Sequence, residues 1–162
     1  MTRGEELRPL YWAMVSLGVV GILILSAGLL DFFSFEPLGQ RTGAHATVKG
    51  VFHYDPETKQ VSGGDTRRFT ADDAFAAEVD WTSLPASMVV DAHWFNILGT
   101  DVGGVGPQPA GELVDRSVIP VKIPEGFKHN LPGEYDFVVE RYSGGQPVEV
   151  LARRLVYVRS AV

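Results

Sequence analysis

The chain has 162 residues, a formal charge of −6 and no cysteine. The acidic balance disfavours a nucleic-acid partner. The missing cysteine excludes a disulfide framework, a lipid-modified N-terminal cysteine, CxxCH haem attachment and a thiolate zinc site.

Residues 10–30 read LYWAMVSLGVVGILILSAGLL and carry no charge. At ~1.5 Å per residue this run makes a helix of roughly 30 Å, the thickness of a bilayer's hydrocarbon core. A cleaved secretory signal has a shorter apolar core, about 7–15 residues, so the length favours a retained anchor, although Ser26, Ala27 and Gly28 would serve as a cleavage site. The expected layout is a cytoplasmic N-terminus at 1–9, a transmembrane helix with its interfacial end at 10–35, a linker at 36–46 and an outer domain at 47–162. Arg3 and Arg8 precede the helix and Asp31 and Glu36 follow it. The positive-inside rule then places the N-terminus in the cytoplasm of a bacterial inner membrane and the C-terminal domain in the periplasm. Tyr11 and Trp12 at one end, and Phe32, Phe33 and Phe35 at the other, are the expected interfacial aromatics. Met14, Gly18, Gly21, Leu25 and Gly28 recur at spacings that place them on one strip of the helix. Its glycines form a smooth groove for a partner helix. The strip contains no strict GxxxG, and glycine is common in membrane helices in any case.

The linker is rich in Gly, Pro and polar residues. Beyond it the periodicity is two. Residues 48–54 alternate and end in the Asp55-Pro56-Glu57-Thr58 turn. Thr70 and Asp73 resemble a capping box, yet a strand over about 76–81 is the better expectation. Residues 88–97 are the clearest strand, with Val90, Ala92 and Trp94 on one face and Asp91 and His93 on the other. Residues 99–112 (GTDVGGVGPQPAGE) read as a long adaptable loop. Within it Asp101, Val102, Val105, Pro107 and Pro109 are candidate partner contacts, against the simpler reading of a mobile hairpin loop. Pro120 confines 113–123 to an edge strand or bend. Residues 135–142 alternate, Ser143-Gly144-Gly145 turns, and 148–158 returns.

About seven short strands with regular turns indicate a mainly β domain, an antiparallel β-sandwich. Trp94 in a central strand, and the run Leu131-Pro132-Gly133-Glu134-Tyr135 leading into a late one, are the carriers of a resemblance. On these residues the region 79–158 resembles immunoglobulin-like and fibronectin-III-like domains. The resemblance implies a core around Trp94, Tyr135 and Phe137, and a tyrosine corner at Tyr135. The inter-sheet cysteine pair of antibody domains is absent.

No reaction signature appears. His45, His53, His93 and His129 have no zinc-motif spacing. His53 and His93 would meet only if their strands pair. Residues 103–106 lack the Lys and helix of a phosphate loop. The acidic pairs Asp55/Glu57 and Asp72/Asp73 sit in turn-like segments, where local hydrogen bonding explains them. Basic residues gather at Arg67 and Arg68 and at Arg153, Arg154 and Arg159; the second group, on the last strand, suits lipid headgroups or an acidic partner, or else a charge-guarded sheet edge. The expectation is a non-enzymatic, cofactor-free and metal-free accessory subunit of a larger inner-membrane complex, by analogy a photosynthetic reaction centre–antenna or respiratory assembly. Its contacts would be the bilayer and neighbouring subunits. The alternative is an independent periplasmic binding module for a peptide, glycan or envelope protein.

Overall fold

The computed structural model describes residues 14–16, 18–20 and 41–160. The chain divides into two units, Met1–Glu36 and Pro37–Val162. Residues 14–16 and 18–20 are helical, with Met14 exposed. No helix among the described residues is long and apolar enough to cross a membrane. Most of the predicted span lies outside the described residues, including Tyr11, Trp12, Gly21, Leu25, Gly28, Phe32, Phe33 and Phe35.

The second unit is mainly β. Its strands are β1 (Thr47–Asp55), β2 (Gln60–Ser62), β3 (Arg68–Thr70), β4 (Phe75–Asp80), β5 (Val89–Phe95), β6 (Asp101–Pro109), β7 (Val118–Pro120), β8 (Gly133–Ser143) and β9 (Gln146–Arg159). They form a four-stranded sheet in the order β2-β1-β4-β7 and a five-stranded sheet in the order β3-β9-β8-β5-β6. All pairings are antiparallel except that of β3 with β9, which is parallel.

Alternation turns one face of each sheet inward. Val51, Phe75, Ala77, Val79 and Ile119 of the first sheet join Val90, Ala92, Trp94, Tyr135, Phe137, Val139 and Val156 of the second in one core. Phe75 meets Trp94 and Tyr135 edge-on at 5.5 and 5.6 Å between ring centroids. Full burial of each such ring contributes about 1.5–3 kcal/mol. The Trp94 indole N–H would be costly to bury without a partner; it donates to the Ile119 carbonyl at 2.9 Å, bonding one sheet to the other. The Tyr135 hydroxyl is also buried and faces the Leu131 backbone, in a geometry looser than a formed hydrogen bond.

Three expectations need correction. Residues 99–112 are not a long loop: 101–109 form β6, the edge of the five-stranded sheet, followed by a 3-10 turn at Ala110–Glu112. Asp101, Val102, Val105, Pro107 and Pro109 are therefore strand residues, with Val102 buried and Val105 packed against the core. The glycines obscure the alternation because they build two bulges. Gly103 (φ 139°) and Gly106 (φ 114°) fall where the β5–β6 register shifts. A Cβ on Gly106 would lie 2.7 Å from the Val90 carbonyl oxygen. Second, 41–46 is docked and not a free linker. The Thr42 amide and Oγ1 donate to Glu149 at 2.7 and 2.8 Å, and the Ala46 amide donates to the Leu151 carbonyl. Third, β3 pairs parallel to β9, so the sheets are not purely antiparallel.

Strands β1, β4, β5, β8 and β9 lie close to their expected places, whereas β2 and β3 have no counterpart among the expected strands. The Thr70 amide and hydroxyl both donate to Asp73, but the next element is β4 and not a helix. Pro120 ends β7, a three-residue strand at the edge of its sheet.

Candidate functional site

The outer face of β5 carries a group of ionisable side chains. Asp91 and His93 point away from the core, two residues apart on the strand. Across the pairing with β8, Asp91 stands opposite Glu140 and His93 opposite Val138. On the other side β6 contributes Asp101 and places Gly104 opposite His93.

Both imidazole nitrogens meet carboxylates. His93 Nε2 lies 2.5 Å from Asp91 Oδ1, in ion-pair contact rather than a well-aligned hydrogen bond. His93 Nδ1 is hydrogen-bonded to Asp101 Oδ2 at 2.6 Å. A neutral imidazole has one N–H and would turn a lone pair toward one of these carboxylates; an imidazolium has a donor for each. The His93 pKa is accordingly raised above its ordinary 6.5, chiefly by Asp91, with burial opposing and Asp101 adding to the rise. Asp91 is only 3% exposed although it is on the outer face. Burial, then Asp91, pushes the Glu140 carboxyl up, while His93 pulls it down. Burial and the carboxylates of Asp91 and Glu140 raise the Tyr142 phenol.

The β6 glycines make this packing feasible. A Cβ on Gly104 would lie 2.5 Å from His93 Nδ1 and equally close to the Ala92 carbonyl oxygen. One on Gly106 would lie 3.1 Å from Asp91 Oδ1. The missing side chains leave room for the imidazole and carboxylate to lie over the edge strand.

A second feature lies at one end of the domain. The turn between β5 and β6 exposes Ile97 (56%) and Leu98 (74%), and the segment leading into β8 exposes Ile123 and Phe127 (54%). Ile97 covers Gly133, the first residue of β8. The Lys122 amide donates to the Val102 carbonyl, holding that segment against the start of β6. These apolar side chains thus belong to adjoining loops at the start of β8. Residues 42–43 are held by Glu149 beside the β8–β9 hairpin, at the other end of β8. Eleven residues of strand separate the two ends by roughly 35 Å.

The remaining sequence candidates are dispersed. His53 and His93 are on different sheets and do not meet; His53 lies edge-on to Phe69 and 3.7 Å from Asp73. His129 pairs with Asp72 at the surface. Asp55 accepts from the Glu57 amide and the Thr58 hydroxyl within its turn. Arg153 pairs with Asp136, and Arg154 lies 3.9 Å from Asp65. Among the described residues no group of three or more His, Asp or Glu is arranged to hold a metal ion. Trp94, Tyr135 and Phe137 are fully buried. Among the described residues, nothing lies within 4 Å of where a Cβ on Gly18 would stand.

Sequence reasoning passes over Glu140 and Tyr142, and it singles out Asp101 as a loop contact for a partner and not as the carboxylate that meets His93. The signal for them is the Asp91-x-His93 pair on a strand whose other face is wholly apolar, beside a neighbour with glycine at alternate positions. No protein-family model and no curated protein matches the chain.

Proposed function

We propose that the chain is a membrane-anchored, non-catalytic accessory subunit, whose β domain docks on neighbouring subunits of a larger inner-membrane complex. The reading places the N-terminus in the cytoplasm, the 10–30 segment in the bilayer and the β domain in the periplasm. The observation that carries it is the exposure of four large apolar side chains, Ile97 and Leu98 on the β5–β6 turn and Ile123 and Phe127 on the segment that leads into β8. Isolated exposed apolar residues are ordinary, but four large ones on adjoining loops are the composition of a contact surface. An energy-transducing assembly remains the setting suggested by analogy.

The domain belongs in this reading to the immunoglobulin-like sandwiches. Strands β5, β8 and β9 stand in the order of the family's C, F and G strands, and β1, β4 and β7 in that of A, B and E. Trp94 occupies the expected central strand. Tyr135 follows Leu131 with the spacing of a tyrosine corner. This fold is a platform for many functions, so the docking surface and not the fold carries the argument.

The test is the size of the native particle. Membranes extracted in mild detergent are separated on a density gradient, and fractions are probed for this chain. Co-migration with a large complex is expected, together with its loss in a Leu98→Asp, Phe127→Asp double variant whose circular dichroism is unchanged. Migration as a free particle of the chain's own size overturns the subunit reading and favours an independent periplasmic binding module. Co-migration that survives the double variant overturns the assignment of the apolar end.

A further inference from the structure

We infer that His93 is a protonation-controlled latch that holds the edge strand β6 to the sheet and so sets the turn presenting Ile97 and Leu98. The functional consequence rests on the docking role proposed for that turn; the latch itself rests on the contacts of His93 with Asp91 and Asp101. The turn hangs between two strands whose pairing is interrupted where it meets them. The β5–β6 register shifts between His93 and Phe95, across Val102 and Gly103. Beyond that shift, Phe95 opposite Asp101 is the last strand pair before the turn. The turn is closed internally by Asn96, whose amide donates to the Thr100 carbonyl and whose side-chain oxygen accepts from the Leu98 and Thr100 amides. The side-chain bridge between the strands at this point is His93 to Asp101. Asp101 also accepts from the Gly103 amide through its other oxygen, so the same carboxylate shapes the bulge and receives the imidazole.

The groups facing His93 are mostly anionic. They are Asp91 on its own strand, Asp101 on β6 and Glu140 on β8, with the Tyr142 phenol beyond. On β9, Arg153 is in the same cross-strand row but is engaged by Asp136. On the segment after β7, the Lys122 stem lies against Gly103. A protonated His93 is hydrogen-bonded to Asp101 and ion-paired with Asp91, and offsets three carboxylates. A neutral His93 leaves one nitrogen without a proton against a carboxylate, and Asp91, Asp101 and Glu140 without that cation. Loosening then falls on β6, because β6 is the edge strand and Asp101 is the half-exposed partner, whereas Asp91 is fixed in the interior of the sheet. A turn ordered at mildly acidic pH and loosened at mildly alkaline pH follows.

The experiment is amide hydrogen exchange on the full chain in mild detergent, corrected for intrinsic rates, at pH 6.0 and pH 8.5. The expected result is a several-fold loss of protection at the higher pH in residues 100–105, with no comparable change along the β8–β9 hairpin. In His93→Gln the difference between the two pH values disappears; in His129→Gln, which alters the surface pair with Asp72, it persists. Protection in β6 that is independent of pH, or a pH response that survives in His93→Gln, overturns the latch. If His93→Gln fails to fold, Asp101→Asn removes the bridge from the exposed side and is expected to shrink the response; an undiminished response overturns the latch equally. Recovery of the complex at the two pH values then separates the readings. A working latch with no change in recovery removes the docking role of the turn and leaves the latch standing.

Discussion

Val90, Ala92 and Trp94 face the core from β5, and Asp91 and His93 face outward from the same seven-residue strand. Asp91 is nonetheless nearly as buried as its inward neighbours. The inner face is held by apolar area and ring contacts, with one polar group, the Trp94 N–H, satisfied by a carbonyl. The outer face is held by charge complementarity among groups costly to bury singly. Robustness and control therefore lie on opposite faces of one strand. Apolar packing does not respond to pH in the physiological range; an imidazole between two carboxylates does.

Breaking the inner face has the largest expected effect. Trp94→Ala removes a fully buried ring, its contacts with Phe75 and Phe137, and the inter-sheet hydrogen bond to Ile119. Aromatic truncations in cores cost about 3–5 kcal/mol, a large share of the stability of a small domain. Urea denaturation is expected to show that loss with the outer face untouched. A loss below ~1 kcal/mol would mean that the two sheets do not share this core.

Breaking the outer face sterically comes next. Gly104→Val places a side chain where even a Cβ would lie 2.5 Å from both the Ala92 carbonyl oxygen and the His93 ring. The carbonyl belongs to a paired central strand and cannot yield, so β6 must move. Overpacking of this kind costs typically ~1–3 kcal/mol. The expected signature is that loss together with loss of the His93–Asp101 bridge, seen as a lowered His93 titration by NMR. A variant that keeps the wild-type titration would show that the glycine is not what makes room for the imidazole.

The two faces also differ in how much the sequence reveals of them. The β class and the strands around β5, β8 and β9 are legible because their inner faces alternate over long runs. Strands β2 and β3, of three residues each, are too short to show a period. β6 is hidden because its glycines serve packing and bulges, while the same residues in isolation signal a loop. The burial of Asp91 is a tertiary event: β8, far along the chain, places Glu140 opposite it, and the Asp91-x-His93 pattern marks a polar face without disclosing how deeply it is buried. Docking of 41–46 escapes notice for the same reason, since its anchor is Glu149.

Glu149 sharpens the comparison, because its pH dependence has the opposite sign to that of His93. Its carboxylate accepts from the Thr42 amide and hydroxyl and from Arg141 Nε at 2.9 Å. Burial pushes its pKa up, but Arg141 and Thr42 outweigh that and hold it below the ordinary 4.5. A lowered carboxyl pKa contributes stability that is complete above about pH 4.5 and lost as pH falls through the folded value. The raised imidazole pKa of His93 contributes stability that is complete below about pH 6.5 and lost as pH rises through the folded value. The charged outer face therefore contributes to the alkaline limb of the stability profile, and the clamp on 42–43 to the acid limb. Glu149→Gln removes charge-assisted hydrogen bonds and is expected to cost roughly 1.5 kcal/mol at pH 6. The loss should shrink as pH falls toward 3, while the alkaline limb stays where it is. A uniform loss at every pH would show that Glu149 acts through shape rather than charge. A displaced alkaline limb would show that the hairpin end and the His93 cluster are energetically one region.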